Sequence, residues 1–252
     1  MSNMEEQILK NRVCIVTGAG KGIGKEIAKA FAKEGGKVYA IEHQQGDIEK
    51  WKGSKEYYKN ICAIAADINE SEEIRKIILD IKKQEGKIDV LVNNAGIEVN
   101  ERIGMISKIN MERMFQTNVY SAIEILQYCS RIMMRQEVGG SIINISSVVG
   151  MKGNAGQLVY SATKGAVIAF TKSAAKELAE FNIRVNSIAP GLTNTGMLKE
   201  TNQDLLEKRV KNIRMGRMAE PSEIADAAVF LASDLARFIS GQIIAVDGCT
   251  VM

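Results

Sequence analysis

Proline is nearly missing: Pro190 and Pro221 are the only two in 252 residues. That excludes a proline-rich linker, and each proline sits where an irregular or helix-opening position suits it. Nowhere do about 18 uncharged apolar residues follow one another, the run that a membrane helix needs. The opening stretch, MSNMEEQILKNR, lacks the basic-then-apolar order of a secretory signal. Cys14, Cys62, Cys129 and Cys249 are far apart and form no CxxC pair, so buried free thiols in a reducing compartment, the cytoplasm, are expected. Neither sign of charge dominates: 33 basic and 30 acidic residues, interleaved, leave a net +3. That balance offers no basic face for a phosphate backbone, so no nucleic-acid partner is expected. With one histidine, His43, and no cluster of carboxylates or thiols, no metal site is expected either.

What is present is an alternating pattern. Hydrophobic residues make up 46% of the chain and charged ones 25%, the balance of a globular protein with a sizeable core. Apolar, β-rich runs fall at Val13–Thr17, Lys37–Glu42, Cys62–Ala66, Val90–Asn93, Ser141–Ser146, Arg184–Ile188 and Gln242–Val246. Several are apolar at successive positions, as strands covered on both faces are. Helical periodicity fills the intervals near 22–34, 70–85, 108–136, 155–181, 199–213 and 221–233. The alternation predicts an α/β fold with a doubly wound, seven-stranded parallel sheet and helices on both faces. No linker, repeat or composition break divides 1–252, so one domain is expected.

The first strand runs into Gly18-Ala19-Gly20-Lys21-Gly22-Ile23-Gly24 and then a helix. Glycines there let the backbone turn sharply and approach a pyrophosphate, and the helix N-terminus offers N–H groups and a positive dipole end. Glu42, ending the second strand, stands where an acid bonds the adenosine ribose hydroxyls. A carboxylate there repels a 2′-phosphate and favours NAD(H) over NADP(H); a solvated strand-end glutamate is the plainer alternative.

The order of these elements resembles the short-chain dehydrogenases/reductases in their compact form. Thr17-Gly18-xxx-Gly22-Ile23-Gly24 is similar to that family's cofactor turn, Asn93-Asn94-Ala95-Gly96 to its NNAG, Tyr160-Ser161-Ala162-Thr163-Lys164 to its YxxxK, and Pro190-Gly191-Leu192-Thr193-Asn194-Thr195 to its PGxxxT. The resemblance covers residues 12 to 248 and implies a nicotinamide-dependent oxidoreductase. It also implies that Asp67 and Ile68 contact adenine, although Asp67 would equally suit an N-cap. Asn94, Ala95 and Gly96 would floor the adenosine ribose, Pro190, Gly191 and Leu192 would wrap the carboxamide, and Thr195 would reach the pyrophosphate. Lys21 pulls against Glu42, because family members with a basic residue in the turn use it on the 2′-phosphate of NADP(H), which stays possible.

Carbonyl reduction needs a hydride donor, a proton donor and something to polarise the oxygen. Tyr160 is the expected proton donor, with Lys164 one helical turn later on the same face to lower the phenol's pKa and hold the nicotinamide ribose. Ser147 stands at the family's separation from Tyr160 for the serine that bonds the substrate oxygen; its neighbour Ser146 should face the other way. Asn118 matches the asparagine whose main-chain carbonyl holds a water linking the lysine to solvent.

Within the family, the ending from Ala219 through Gly248 reads like bacterial 3-oxoacyl-carrier-protein reductases. Glu42 departs from their usual NADPH. Those reductases also dock their carrier through arginines at the ends of two central helices, and here Ala179-Glu180-Phe181-Asn182 offers none. The main reading is therefore interconversion of a secondary alcohol and a ketone, with NADPH-dependent 3-oxoacyl-carrier-protein reduction as the alternative. A non-catalytic dinucleotide sensor would have lost Tyr160 or Lys164, and epimerase relatives carry an added substrate domain after the last strand. A lid over about 192–218, with Met197, Leu198, Met215 and Met218, would choose the substrate. The family's dimer contact along the two long helices implies a homotetramer or homodimer.

Overall fold

The computed structural model describes residues 7–52, 55–196 and 203–251. Its strands are β1 Val13–Thr17, β2 Lys37–Glu42, β3 Ile61–Ala65, β4 Val90–Asn93, β5 Gly140–Ile145, β6 Ile183–Pro190 and β7 Ile243–Val246. They form one seven-stranded sheet in the order β3-β2-β1-β4-β5-β6-β7, with every pairing parallel. The helices are α1 Gly22–Lys33, α2 Gln45–Glu49, α3 Ser71–Glu85, α4 Lys108–Phe115, α5 Ser121–Met133, α6 Val148–Lys152, α7 Leu158–Leu178, α8 Gln203–Lys211 and α9 Pro221–Ala232.

All five residues of β1 are buried because each face has its own layer of helices. Cys14 and Val16 enter the core shared with Ile27 and Phe31 of α1 and Ile224 and Leu231 of α9. Val13 and Ile15 enter the opposite core, with Ile74 and Ile78 of α3, Ile125 of α5 and Leu178 of α7. Strand alternation thus feeds two cores at once.

Local chemistry sets the element ends. α3 stops at Gly86, whose φ of 76° is a left-handed cap that glycine takes without strain. α9 opens with Pro221 behind a reciprocal Glu220–Glu223 capping box. Pro190 corrects the sequence reading, since it ends β6 opposite Val246. β5 has already stopped at Ile145 opposite Ile188, so the missing N–H leaves no β5 carbonyl unpaired.

The helix expected over 108–136 is broken in the middle. A π-turn, Gln116–Tyr120, separates α4 from α5. Its Asn118 side chain is pinned elsewhere, accepting from Ile97 N at 2.8 Å and donating to Ile97 O at 2.9 Å. Single π-turns inside helices recur at functional sites. Two short helices, α2 and α6, were not anticipated. The expectation of buried thiols holds for Cys14 and Cys129, while Cys62 is half-buried and Cys249 exposed. No helix among the described residues is long and apolar enough to cross a membrane.

A buried amide chain ties the sheet's centre to the helices beneath the site. Asn93 Nδ2 donates to Asn144 Oδ1 (3.0 Å) and Ala122 O (3.1 Å), and Asn144 Nδ2 donates to Thr171 Oγ1 (2.9 Å). It fixes β4, β5, α5 and α7 to one another just below the strand ends.

Candidate active site

β1 has β2 on one side and β4 on the other, so the chain reverses its winding there and leaves a crevice at the strands' C-terminal ends. A cleft of about 2100 Å³ opens at that point, running from Glu42 and Asp67 past the glycine turn to Ser147, Tyr160 and Leu192.

The turn is built of backbone. Gly18 has φ +64°, and a Cβ on it would come within 2.7 Å of Ala95 Cα. Thr17 Oγ1 accepts from Asn94 N (3.0 Å) and Ala95 N (3.1 Å), while Asn94 Nδ2 donates to Thr17 O (2.9 Å) and Gly18 O (3.0 Å). Those bonds lock the first glycine motif against the NNAG loop. Gly24 lies behind the turn, not on the cleft; a Cβ there would drive into the Gly18 carbonyl. α1 then starts with no side-chain cap and no acidic residue in its first turn. Gly22 and Ile23 at that start line the cleft, so a bare, electropositive helix end faces it. Across from Gly22, the Thr195 γ-methyl lies 3.4 Å from the position of a Cβ. A glycine cradle with an uncapped helix end is a fit for a dinucleotide's pyrophosphate.

At the adenosine end, Glu42 is held by main chain, its Oε2 accepting from Gly20 N and its Oε1 from His43 N, both at 2.9 Å. Lys21 is exposed on the rim. Asp47 of α2 stands beside it, with its carboxyl pKa held down by Lys50 above all and also by Lys21. A Cβ on Gly20 would lie 2.8 Å from Glu42 Oε2 and 3.0 Å from Asp47 Cβ, which puts both acids at one spot. Asp67 Oδ1 accepts from the backbone and side-chain nitrogens of Asn69, both at 2.9 Å. The N-cap of α3 is Glu70, so Asp67 does not cap that helix. Ile68 lines the cleft next to it.

At the other end, α7 projects Tyr160 and Lys164 to one side, with Lys164 Nζ 5.8 Å from the Tyr160 ring centroid. Lys164 is buried and donates to Ile145 O at 2.8 Å. Burial lowers its pKa to about 8 against the opposing pull of the Glu98 carboxylate. Tyr160 is pushed well above the ordinary phenol value by burial first and by the Glu98 charge second, with the Ser147 hydroxyl pulling it back down. The Lys164 ammonium donates to the Ile145 carbonyl yet stays 5.8 Å from the centre of the phenol ring, within the range where a positive charge favours the phenolate. Ser146 and Ser147 separate cleanly. Ser146 Oγ is spent inside, donating to Ile188 O (3.1 Å) and accepting from Ser187 Oγ (2.7 Å), whereas Ser147 caps α6 from the cleft side.

Asn118 stands behind this wall, donating to Thr163 Oγ1 at 3.1 Å. A Cβ on Gly96 would lie 3.1 Å from Asn118 Oδ1 and 3.4 Å from Lys164 Nζ, so glycine is what lets these groups close up. Pro190, Gly191 and Leu192 line the cleft, and Gly191 is packed so tightly that a Cβ would come within 2.8 Å of Asp247 Cα.

The lid expectation needs correction. Met197 and Leu198 lie outside the described residues. Met215 is exposed and lies against Gly248, and neither it nor Met218 lines the cleft; Arg209, Asn212 and Ile213 do. The end of α8 turns those three inward and carries Met215 into the following bend. Two cleft residues, Glu98 and Gln157, were missed altogether, and so was Asp47 beside Gly20. Glu98 had a signal, a lone carboxylate just past the NNAG glycine, while Asp47 and Gln157 had none in the sequence. No group of three or more His, Cys, Asp or Glu side chains suited to a metal occurs among the described residues.

A family profile described as "Enoyl-(Acyl carrier protein) reductase" matches residues 18–249. Curated relatives named 3-oxoacyl-acyl-carrier-protein reductase FabG are similar over nearly the whole chain. That of Chlamydia trachomatis is 37% identical, covering 96% of this chain and 98% of its own length. The Thermotoga maritima protein is 35% identical, with 97% and 99% covered, and the one from Staphylococcus aureus strain N315 39%, with 93% and 96%. Strand order, cleft and relatives agree that this chain belongs to the short-chain dehydrogenase/reductase family, nicotinamide-dinucleotide oxidoreductases acting on CH–OH or keto groups.

Proposed function

We propose that the protein interconverts a secondary alcohol and a ketone using NAD(H), with Tyr160 as general acid and base. The observation that carries this reading is the convergence of Ser147, Tyr160 and Lys164 on one point of the cleft wall. Bound dihydronicotinamide supplies a hydride to the carbonyl carbon. Ser147 orients and polarises the carbonyl oxygen, and Tyr160 gives that oxygen its phenolic proton. Burial and the Glu98 charge keep the phenol protonated, and the neighbouring Lys164 ammonium is the group on hand to make it a stronger acid. Lys164, charged below about 8, holds the ribose hydroxyls. Asn118 commits its side chain to Ile97 and Thr163, which leaves its main-chain carbonyl for a water relay. At the pyrophosphate, Gly18, Gly22, Ile23 and Thr195 form the cradle, with Gly24 packed behind it. Asp67, Ile68 and Asn94–Gly96 hold the adenosine half, and Pro190–Leu192 the nicotinamide.

The preference for NAD(H) rests on Glu42, whose carboxylate lies beside Gly20 where a 2′-phosphate would go, with Asp47 next to it; against them stand Lys21 and Lys50, the latter already paired with Asp47 at 2.7 Å. The relatives' names favour a second reading, NADPH-linked reduction of 3-oxoacyl carrier proteins. Against it, of the two helix ends that would meet an acidic carrier, the first carries exposed Arg135 beside Glu137 and exposed Val138, but the second, with Glu180 and exposed Phe181, carries no arginine. The chain forms one domain, with Arg209, Asn212 and Ile213 on the cleft wall where a substrate would lie. Exposed Tyr120 in the π-turn and Ile123 on α5 suit packing of a homodimer or homotetramer.

Tyr160→Phe tests the central role. It should cut turnover by about 10²–10⁴ while cofactor affinity stays within a factor of about two; retained turnover would end the acid/base assignment.

A further inference from the structure

Neither the pyrophosphate cradle nor the proton donor uses Glu98, yet this half-buried carboxylate lies in the cleft wall within electrostatic reach of both Tyr160 and Lys164. It does not swing freely. Glu98 Oε1 accepts from Gln157 Nε2, and Gln157 is itself buried just before α7. Gln157 Oε1 in turn accepts from Asn154 Nδ2 at 2.6 Å, and Glu101 N donates to Gly156 O at 2.9 Å, closing the two loops on each other. Among the described residues no cation pairs with Glu98 and no donor reaches its Oε2. A fixed, half-buried carboxylate with one oxygen open to the cleft is placed to accept from a donor on the ligand.

We propose that Glu98, positioned by Gln157, is a specificity-determining residue that accepts a hydrogen bond from a hydroxyl or ammonium group next to the substrate's reacting carbon. This rests on the alcohol/ketone reading and narrows it to hydroxy- or amino-substituted ketones and the matching diols or amino alcohols. A 3-oxoacyl thioester fits poorly. The carbons flanking its keto group carry no O–H or N–H, and its thioester oxygen is a second acceptor facing the carboxylate. A ketone with a carboxylate or phosphate beside the carbonyl would meet like charge.

The test uses the full chain with NADH and three probes: acetoin, butanone and the N-acetylcysteamine thioester of acetoacetate. Acetoin should exceed butanone in kcat/KM by roughly tenfold or more, since a site built to bond a substrate hydroxyl rejects the analogue lacking it. In Glu98→Leu that ratio should fall by roughly tenfold, chiefly through the KM for acetoin, and Glu98→Gln, which keeps one acceptor, should recover part of it. Because the readout is a ratio within one variant, loss of folded protein does not move it. An unchanged ratio in Glu98→Leu overturns the assignment. Turnover of butanone or the thioester without acetoin overturns it too, while leaving the oxidoreductase reading in place; turnover of none of the three removes both.

Discussion

The two ends of the cleft are built by different means. At the adenosine and pyrophosphate end, the bonds that hold it have main chain on one side: Glu42 is fixed by two backbone N–H groups, and the NNAG loop hangs from the Thr17 hydroxyl and, through the Asn94 amide, from the Gly18 carbonyl. At the reacting end, side chains from the loops after β4 and β5, the π-turn and α7 meet through their own hydrogen bonds, and a lysine is buried among them. A backbone-built site tolerates most side-chain changes and fails at its glycines. A side-chain-built site stores unfavourable burial that its chemistry uses, so there stability and activity should pull apart.

The sharpest break of that comparison is Lys164→Met. Turnover should drop by about 10²–10⁴, as expected for loss of a general acid–base partner, without a matching loss of stability. The pH dependence gives the sign. Burial lowers the folded-state pKa of Lys164 from 10.5 to about 8, so between those values the unfolded chain binds more protons. Relative to Lys164→Met, the wild-type unfolding free energy should therefore rise with pH across that window and carry the full cost of the buried charge below it, an effect on the order of 3 kcal/mol. The buried thiols of Cys14 and Cys129, whose pKa values burial raises from 9.0, pull both proteins the other way at the alkaline end. Denaturant titrations of the cofactor-free protein at several pH values should show this rise in the difference between the wild type and Lys164→Met. A matching slope in the variant would place the titration elsewhere.

Gly24→Ala probes the backbone-built end. The new methyl meets a main-chain carbonyl and the Asn94 amide, neither of which can retreat without opening the turn. Affinity for both dinucleotides should weaken by roughly tenfold to a hundredfold, read by fluorescence titration, with the NADH-to-NADPH ratio little altered. The smallest effect belongs to Asp47→Asn. Removing one of two carboxylates at the rim should shift the cofactor ratio toward NADPH by roughly threefold, in line with a single exposed charge. No shift would leave Glu42 as sole selector.

How far the sequence carries follows the same division. The strands, the glycine turn and the register of Tyr160 with Lys164 depend on neighbours along the chain, and they stand where the patterns put them. Strand alternation at the end of β5 lets only one of Ser146 and Ser147 face the site, and the separation from Tyr160 seen in the family points to Ser147. What escaped depends on distant partners. The π-turn at Gln116–Tyr120 exists because Asn118 is tied to Ile97, and no helical periodicity contains that bond. Glu98 gains meaning only once Gln157 is folded against it. Asp47 rides on a five-residue helix too short to announce itself. Spacing set Lys164 beside the phenol but gave no sign that the Ile145 carbonyl would also accept from its ammonium.

The most direct check on the account is a pair of equilibrium titrations of the wild-type protein with NADH and NADPH, followed by nicotinamide fluorescence. Binding of NADH at least about tenfold tighter, or roughly 1.4 kcal/mol, is the predicted result, with Glu42→Ala narrowing the gap. Tighter binding of NADPH would mean that Lys21 overrides the two carboxylates, and would return 3-oxoacyl-carrier-protein reduction to first place. Binding of neither would contradict the reading of the glycine cradle itself.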